Sequence, residues 1–210
     1  MNRRLDALRR RLRQPLPGLT AQLQMAPRPR TPLDPSLTAA SLRRAAALLL
    51  VYEHDGEWQI PLTLRGATLR QHTSQVSLPG GRIDPGETPE HAALREAYEE
   101  IGLMPDAVEL LGALTPLPIP ISGHLLHPVV GYAPVRPQFV IAEHEVARLI
   151  EVPLAQLQPG LVRWERRARQ HPPLELMDVP YFQIDDMQVW GATAMVLAEF
   201  MAVVGDTHDV

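Results

Sequence analysis

Apolar and polar positions alternate along this chain in several distinct periods, beginning with a helical one. In "MNRRLDALRRRLRQ", residues 1–14, Leu5, Leu8 and Leu12 recur at i, i+3, i+7 and Arg fills the other faces, which predicts a short basic helix docked through its leucines. From Gln14 to Pro35 the prolines of "QPLPGL" and "APRPRTPLDP" remove backbone donors and predict an extended arm, wrapped over the domain or packed on a partner chain. The pattern then changes. "AAALLLVYE" and "EWQIPLTLR" are apolar runs split by "HDGE", whose Asp55-Gly56 pair signals a hairpin. "QVSLPGG" reads as a short strand ending in two glycines, "AVELLGAL" and "HLLHPVVGYAPV" as later strands, and "EHEVARLIEVPLAQL" as a loop with helical pieces and an apolar strand. "MQVWGATAMVLAEFMAVVG" predicts a closing amphipathic helix. Strands dominate, so a mixed sheet between helical layers is expected. The expected organisation is an arm over 1–41, one domain over 42–204 and a tail over 205–210.

One predicted helix carries an unusual charge density. Between Glu90 and Glu100 lie four acidic residues in eleven positions. Thr88 suits the N-cap, Pro89 the first helical position, and Gly102-Leu103 a left-handed stop with its apolar contact. Leu94, Ala97, Tyr98 and Ile101 fall at i, i+3, i+4, i+7 and predict the core face. At about 100° per residue from Leu94, Glu99, Glu96 and Glu100 lie at about 140°, 200° and 240°, opposite that face. Glu96 and Glu100 are i, i+4 neighbours of like charge, which destabilises a helix, and Arg95 offsets only one of the three. A solvated face is the plain reading. Three carboxylates with no interleaved Lys also make a site for a hard divalent cation with oxygen ligands.

Composition narrows the chemistry. The 210 residues, 45% of them hydrophobic, suffice for one good core. A net charge of −4 gives no overall attraction for nucleic acid or anionic membrane, so phosphate affinity must be local. All 20 basic residues counted as Lys+Arg are Arg, a residue suited to bidentate phosphate contacts. Cysteine is absent, which removes disulfides, thiolate metal sites and a cysteine nucleophile and leaves carboxylates and His as metal ligands. The longest apolar run, "AAALLLVY", is strand-sized and far below the roughly 20 residues of a membrane span. With no peroxisomal signal in the C-terminal "HDV", a cytoplasmic setting is expected.

The composite pattern is Gly81, five residues, Glu87, seven residues, then "REAYEEIGL". It resembles the Nudix box, G-x5-E-x7-R-E-U-x-E-E-x-G-U with U apolar, at every fixed position. The resemblance implies an α/β/α sandwich around a mixed β-sheet, of the α/β (α+β) class, and a hydrolase of nucleoside diphosphates linked to another moiety that uses Mg²⁺ or Mn²⁺. Carried over, Glu96, Glu99 and Glu100 bind metal, Glu96 is also a candidate base, Arg95 orients a glutamate by ion pairing, and Glu87 braces the loop. Gly80 and Gly81 admit a carbonyl or substrate phosphate near the metal, and Gly102 ends the helix. Such chemistry needs the bridging phosphates neutralised and an attacking water made acidic. A carboxylate then accepts the proton: Glu96, or Glu143 or Glu145 downstream, of which Glu145 sits where this fold often supplies an extra carboxylate.

Substrate choice lies in the flanks. "PLTLRGATLRQHTSQVSLPGG" (61–81) resembles L-L-T-x-R-S-x3-R-x3-G-x3-F-P-G-G of coenzyme A pyrophosphatases, a Nudix subgroup: Leu62, Thr63, Arg65, Arg70, Pro79, Gly80 and Gly81 agree, while Pro61, Gly66, Ser74 and Leu78 depart. This implies cleavage of coenzyme A (CoA) or acyl-CoA to 3′,5′-ADP and 4′-phosphopantetheine, with Arg65 and Arg70 as phosphate-binding groups or as plain strand-edge charge. His72 is a further candidate phosphate donor or simply hydrogen-bonded at its turn, and Trp190 and Phe182 line a substrate pocket or serve core or dimer packing. The departures keep ADP-ribose, NADH and dinucleoside polyphosphates open as substrates. A non-catalytic binding module is disfavoured because all the box glutamates are present. The Pro-rich arm and terminal helix offer surfaces for a homodimer.

Overall fold

The computed structural model describes residues 3–30, 41–66, 75–168 and 176–205; Arg70, His72 and Ser74 lie outside them. In chain order the described residues form α1 (Arg3–Leu12), α2 (Leu19–Gln22), β1 (Arg43–His54), β2 (Glu57–Arg65), β3 (Val76–Ser77), β4 (Gly80–Arg82), α3 (Pro89–Ile101), β5 (Glu109–Ala113), β6 (Leu117–Ile119), β7 (His124–Ala133), β8 (Val146–Pro153), β9 (Arg163–Ala168), β10 (Leu176–Ile184), β11 (Met187–Trp190) and α4 (Gly191–Gly205).

β1 explains the layout. A strand that alternates would show one wet face, but residues 46–52 are buried without interruption, the signature of a central strand covered on both sides. Ala46, Leu48, Leu50 and Tyr52 point into one core with Ala92, Ala93, Ala97 and Ile101 of α3. Ala47, Leu49 and Val51 point into the other, with Leu5, Leu8 and Leu12 of α1 and Val196, Leu197 and Phe200 of α4. β1 pairs in parallel with β7 from Arg43 opposite His124 to Tyr52 opposite Ala133. It pairs antiparallel with β2 across the Asp55-Gly56 turn and with β4 at Ala46 opposite Gly81. The main sheet is mixed, in the order β3-β2-β1-β7-β5 with β4, β6 and β8 attached. The α/β/α sandwich is thus present.

Three sequence expectations change. The arm is not extended throughout: the proline-free stretch from Gly18 to Ala26 forms α2 and a 3₁₀ turn at Leu23–Met25, with Ala21 and Met25 buried. The closing helix begins at Gly191, because Met187–Trp190 is a strand, and α4 is buried nearly all round rather than amphipathic. A second sheet, in the order β11-β10-β9, was not legible: "RWERRA" lacks apolar alternation, and its strand state comes from pairing with β10 between Arg163–Tyr181 and Ala168–Leu176.

The arm is fastened by a buried charge. Glu199 of α4 is fully buried, and its carboxylate accepts from the Gly18 N–H at 3.1 Å, Gln22 Nε2 at 2.8 Å and the Thr115 N–H at 3.3 Å. Glu199→Ala leaves the Gly18 and Thr115 N–H groups without this acceptor and Gln22 Nε2 with the Thr115 carbonyl alone, at an expected cost of about 3 kcal/mol. Thermal unfolding measures the loss, and earlier trypsin cleavage at the α1 arginines reports the loosened arm.

Candidate active site

Both ends of α3 are capped as the sequence predicts. Thr88 Oγ1 accepts from the His91 N–H at 3.3 Å, and Gly102 adopts φ 68°. A side chain at Gly102 would also bring its Cβ to 3.0 Å from Val140, so this stop doubles as a packing point. The helix faces are rolled from the prediction. Ala92, Ala93, Ala97, Glu100 and Ile101 are buried, whereas Tyr98, expected in the core, is 51% exposed. Three alanines let α3 lie closer to β1 than a Leu/Tyr face would, and its acidic edge is pressed against β4. Glu100, expected opposite the core, is only 4% exposed.

The two glycines make that approach possible for different reasons. A Cβ on Gly80 would stand 2.4 Å from the Ala46 carbonyl oxygen, and one on Gly81 would stand 2.4 Å from the Glu96 carboxylate. Gly80 therefore lets backbone meet backbone, and Gly81 leaves the volume that the Glu96 carboxylate occupies. Glu100 Oε2 accepts from the Gly80 N–H at 3.2 Å. Burial pushes the Glu100 carboxyl up to about 7, against the opposing influence of Arg65 and the Gly80 N–H, with the charges of Glu96 and Glu145 adding to the rise. Burial likewise raises Glu96, with Arg95 opposing.

Arg95 organises the rest. Its Nε and Nη2 donate to the two oxygens of Glu87 at 3.0 and 3.1 Å, its Nη1 to Glu96 at 2.8 Å and Glu99 at 3.2 Å, and its Nη2 to the Arg82 carbonyl at 2.9 Å. Glu87 also accepts from the Asp84 N–H at 3.0 Å, and its carboxyl is held below the usual range, chiefly by Arg95. One planar guanidinium thus ties the β4–α3 loop to two of the three helix carboxylates.

The downstream loop is docked on the same helix. The Ala142 N–H donates to the Glu100 carbonyl and the Val140 N–H to that of Ile101, both at 2.9 Å, while the Gly66 N–H holds the Glu145 carbonyl at 2.9 Å. Glu145 is close enough to act electrostatically on both Glu96 and Glu100. Glu143 is exposed. Sequence reasoning missed what braces this loop from behind: Arg136 grips Glu151 through two bonds of 2.7 and 2.6 Å, the Tyr52 hydroxyl donates to the same carboxylate, and Phe139 packs on the Tyr52 ring at 5.7 Å. These residues are far apart in sequence, and no local motif marks them. Phe182 is core, and Trp190 stacks under Arg167 at 4.8 Å, so the packing reading holds for both.

Among the described residues no three His, Asp or Glu side chains converge on one point, because Arg95 holds Glu96 and Glu99 and Gly80 holds Glu100. The groove still fits a divalent cation: its donors are all oxygen, and Glu100 is a buried carboxylate without a full counter-charge. Binding requires Glu100 charged, so affinity should rise up to about tenfold per pH unit below about pH 7 and level off above it. Calorimetric Mn²⁺ titrations across that range test this; a flat profile would contradict it.

The NUDIX domain pattern matches residues 42–173. The chain is 36% identical over 180 residues to the uncharacterized Nudix hydrolase NudL of Cronobacter sakazakii, covering 83% of this chain and 90% of that protein. It is 34% identical over 185 residues to NudL of Citrobacter koseri, covering 82% and 90%. Among solved structures, the Nudix hydrolase RenU of M. smegmatis superposes with a TM-score of 0.54 at 22% identity, over 78% of this chain and 86% of that one. A MutT/nudix family protein of Enterococcus faecalis gives 0.51 at 14% identity, over 84% and 66%; these two likenesses concern the fold alone. With the glycine pair, the capped acidic helix and its arginine brace all in one groove, and the family pattern spanning most of the chain, this protein belongs to the Nudix hydrolases, pyrophosphohydrolases that generally use divalent metal ions.

Proposed function

We propose that this Nudix hydrolase cleaves the pyrophosphate of CoA or acyl-CoA, giving 3′,5′-ADP and 4′-phosphopantetheine or its acylated form. The observation that carries the reading is the placement of Arg65. It ends β2 beside the acidic groove, where its charge acts on Glu100, and it belongs to the segment that matches the CoA pyrophosphatase pattern. Three departures from that pattern are structurally mild. Leu78 fills a core position, Pro61 sits within the β2–β8 ladder, and Gly66 uses its backbone N–H to hold Glu145.

In this mechanism Glu96, Glu99 and Glu100 are the residues that would hold Mg²⁺ or Mn²⁺. A divalent ion held there would supply neutralisation of phosphate charge and a water acidic near neutral pH. Arg95 fixes the Glu96 and Glu99 carboxylates in one orientation, and Glu87 fixes Arg95. Gly81 has no side chain to displace the Glu96 carboxylate, which therefore keeps its place beside Arg95. Glu145 accepts the proton of the attacking water at its carboxylate; Glu96 is already committed to Arg95 at 2.8 Å. Arg65 supplies positive charge for substrate phosphates beside the carboxylate groove, and Arg70 of the same sequence segment is the second candidate for the extra charge that CoA with its 3′-phosphate requires.

Turnover of CoA, dephospho-CoA, ADP-ribose, NADH and a dinucleoside polyphosphate, with Mg²⁺, Mn²⁺ or chelator, tests the reading. CoA is expected to be preferred, with 3′,5′-ADP released only when metal is present and dephospho-CoA much the poorer substrate. Preference for ADP-ribose, NADH or the dinucleoside polyphosphate would retain the chemistry and overturn the substrate.

A further inference from the structure

The chain's own arm covers α4, with Leu5, Leu8, Leu12 and Met25 packed in one cluster with Val196, Leu197 and Phe200, so this helix offers no free apolar face. We infer that β9 is a self-complementary edge through which two copies of this chain pair antiparallel about a twofold axis at Trp164. β9 is the outer strand of its sheet. On β10, the N–H of Asp178 donates to the Arg28 carbonyl at 2.8 Å and its C=O accepts from the Arg28 N–H at 2.9 Å, on the side away from β9. Asp178 is the register partner of Arg166, and antiparallel partners exchange either both bonds or neither. The N–H and C=O of Arg166, and by the two-residue period those of Trp164, therefore point out from the sheet. Pro180, opposite Trp164, has no N–H to give and agrees with this phase. Among the described residues these outward groups have no backbone partner.

Charged residues commonly protect an edge against pairing. Here their order leaves one register with no like charges face to face. A twofold axis perpendicular to the sheet pairs each residue with one of equal parity, so the centre falls on a residue paired with its own copy. Centred on Glu165, the register sets Glu165 against Glu165 and Arg163 against Arg167. Centred on Arg166, it pairs Glu165 with Arg167 on both sides of the axis but sets Arg166 against itself at the centre. Centred on Trp164, it stacks two half-exposed indoles, each already under Arg28 at 4.8 Å, and places Arg163 opposite Glu165 on both sides of the axis. Those flanking positions are the close, non-hydrogen-bonded kind, where cross-strand charge pairs act most strongly. The same surface patch serves both subunits, as a closed dimer requires.

The chain has no cysteine, which gives a clean test. At the axis the two Cα atoms stand about 5.5 Å apart, within disulfide range. W164C should oxidise rapidly to a covalent dimer, and R166C should not. In sedimentation across a concentration series, the unmodified chain should shift from 23.4 kDa toward twice that mass. R163E or E165R alone should abolish the shift, and the double exchange R163E/E165R should restore it, with circular dichroism confirming the fold of each. A monomer at all concentrations, a dimer indifferent to both single reversals, or faster cross-linking at position 166 would overturn the inference.

Discussion

Glu100→Gln should lower turnover by roughly 10²–10⁴-fold, the scale of losing one electrostatic or proton-handling group in an active site, while the protein stays folded. The amide still accepts the Gly80 N–H, so the local geometry survives; what disappears is the buried charge. The metal-free protein should in fact gain stability at neutral pH. Burial raises the Glu100 carboxyl from 4.5 to about 7, so between those values the folded state binds more protons than the unfolded state. Stability of the metal-free wild type therefore falls as pH rises through that window, by up to about 3 kcal/mol, and is fully retained below it. The variant lacks this slope. Added Mg²⁺ should recover stability in the wild type at pH 7 and do little for Glu100→Gln. Thermal unfolding against pH, with chelator and then with metal, reads both effects; full turnover in the variant would remove Glu100 from the metal site.

The second large effect separates two adjacent glycines. At Gly81 the new methyl of Gly81→Ala meets the tip of a side chain, the Glu96 carboxylate at 2.4 Å. A carboxylate can swing away, so the stability cost should stay near 1 kcal/mol, yet Glu96 leaves its place beside Arg95. Turnover should fall by about 10²-fold or more, the scale of displacing a reacting group by an ångström. At Gly80 the methyl meets the Ala46 carbonyl and the Ala47 Cα, at 2.4 and 2.6 Å, in the middle of the sheet. Backbone cannot yield so cheaply, and Gly80→Ala should lose roughly 3 kcal/mol or more of stability. Paired melting curves and kinetics for the two variants check the contrast. Equal melting temperatures would show that both sites relax in the same way.

How much of this was legible in the sequence depended on how local the cause was. The hairpin at Asp55-Gly56, the caps of α3 and the leucine stripe of α1 each depend on a few neighbouring residues, and each stands where the pattern put it. The roll of α3 was not legible, because periodicity ranks Leu94 and Tyr98 above alanines. The sheet instead selects the face that packs closest, and Gly80 and Gly81 on another strand decide which face that is. Arg95, Glu87, Glu96 and Glu99 could be grouped from helical spacing and the motif, and they lie together. The brace of Arg136, Glu151, Tyr52 and Phe139 behind the Glu145 loop depends on contacts between β1, β8 and the loop. The phase of β9 depends on Arg28 pairing with Asp178. Neither leaves a mark within any short window of the chain.

If the acidic edge of α3 is a divalent-metal site, Mn²⁺ binding at pH 8, followed by electron paramagnetic resonance, will separate the wild type from the triple variant E96Q/E99Q/E100Q. The wild type should deplete the free Mn²⁺ signal with saturable stoichiometry, and the triple variant, still folded, should leave it untouched. Equal depletion by both proteins would place the metal elsewhere and remove this edge as its site.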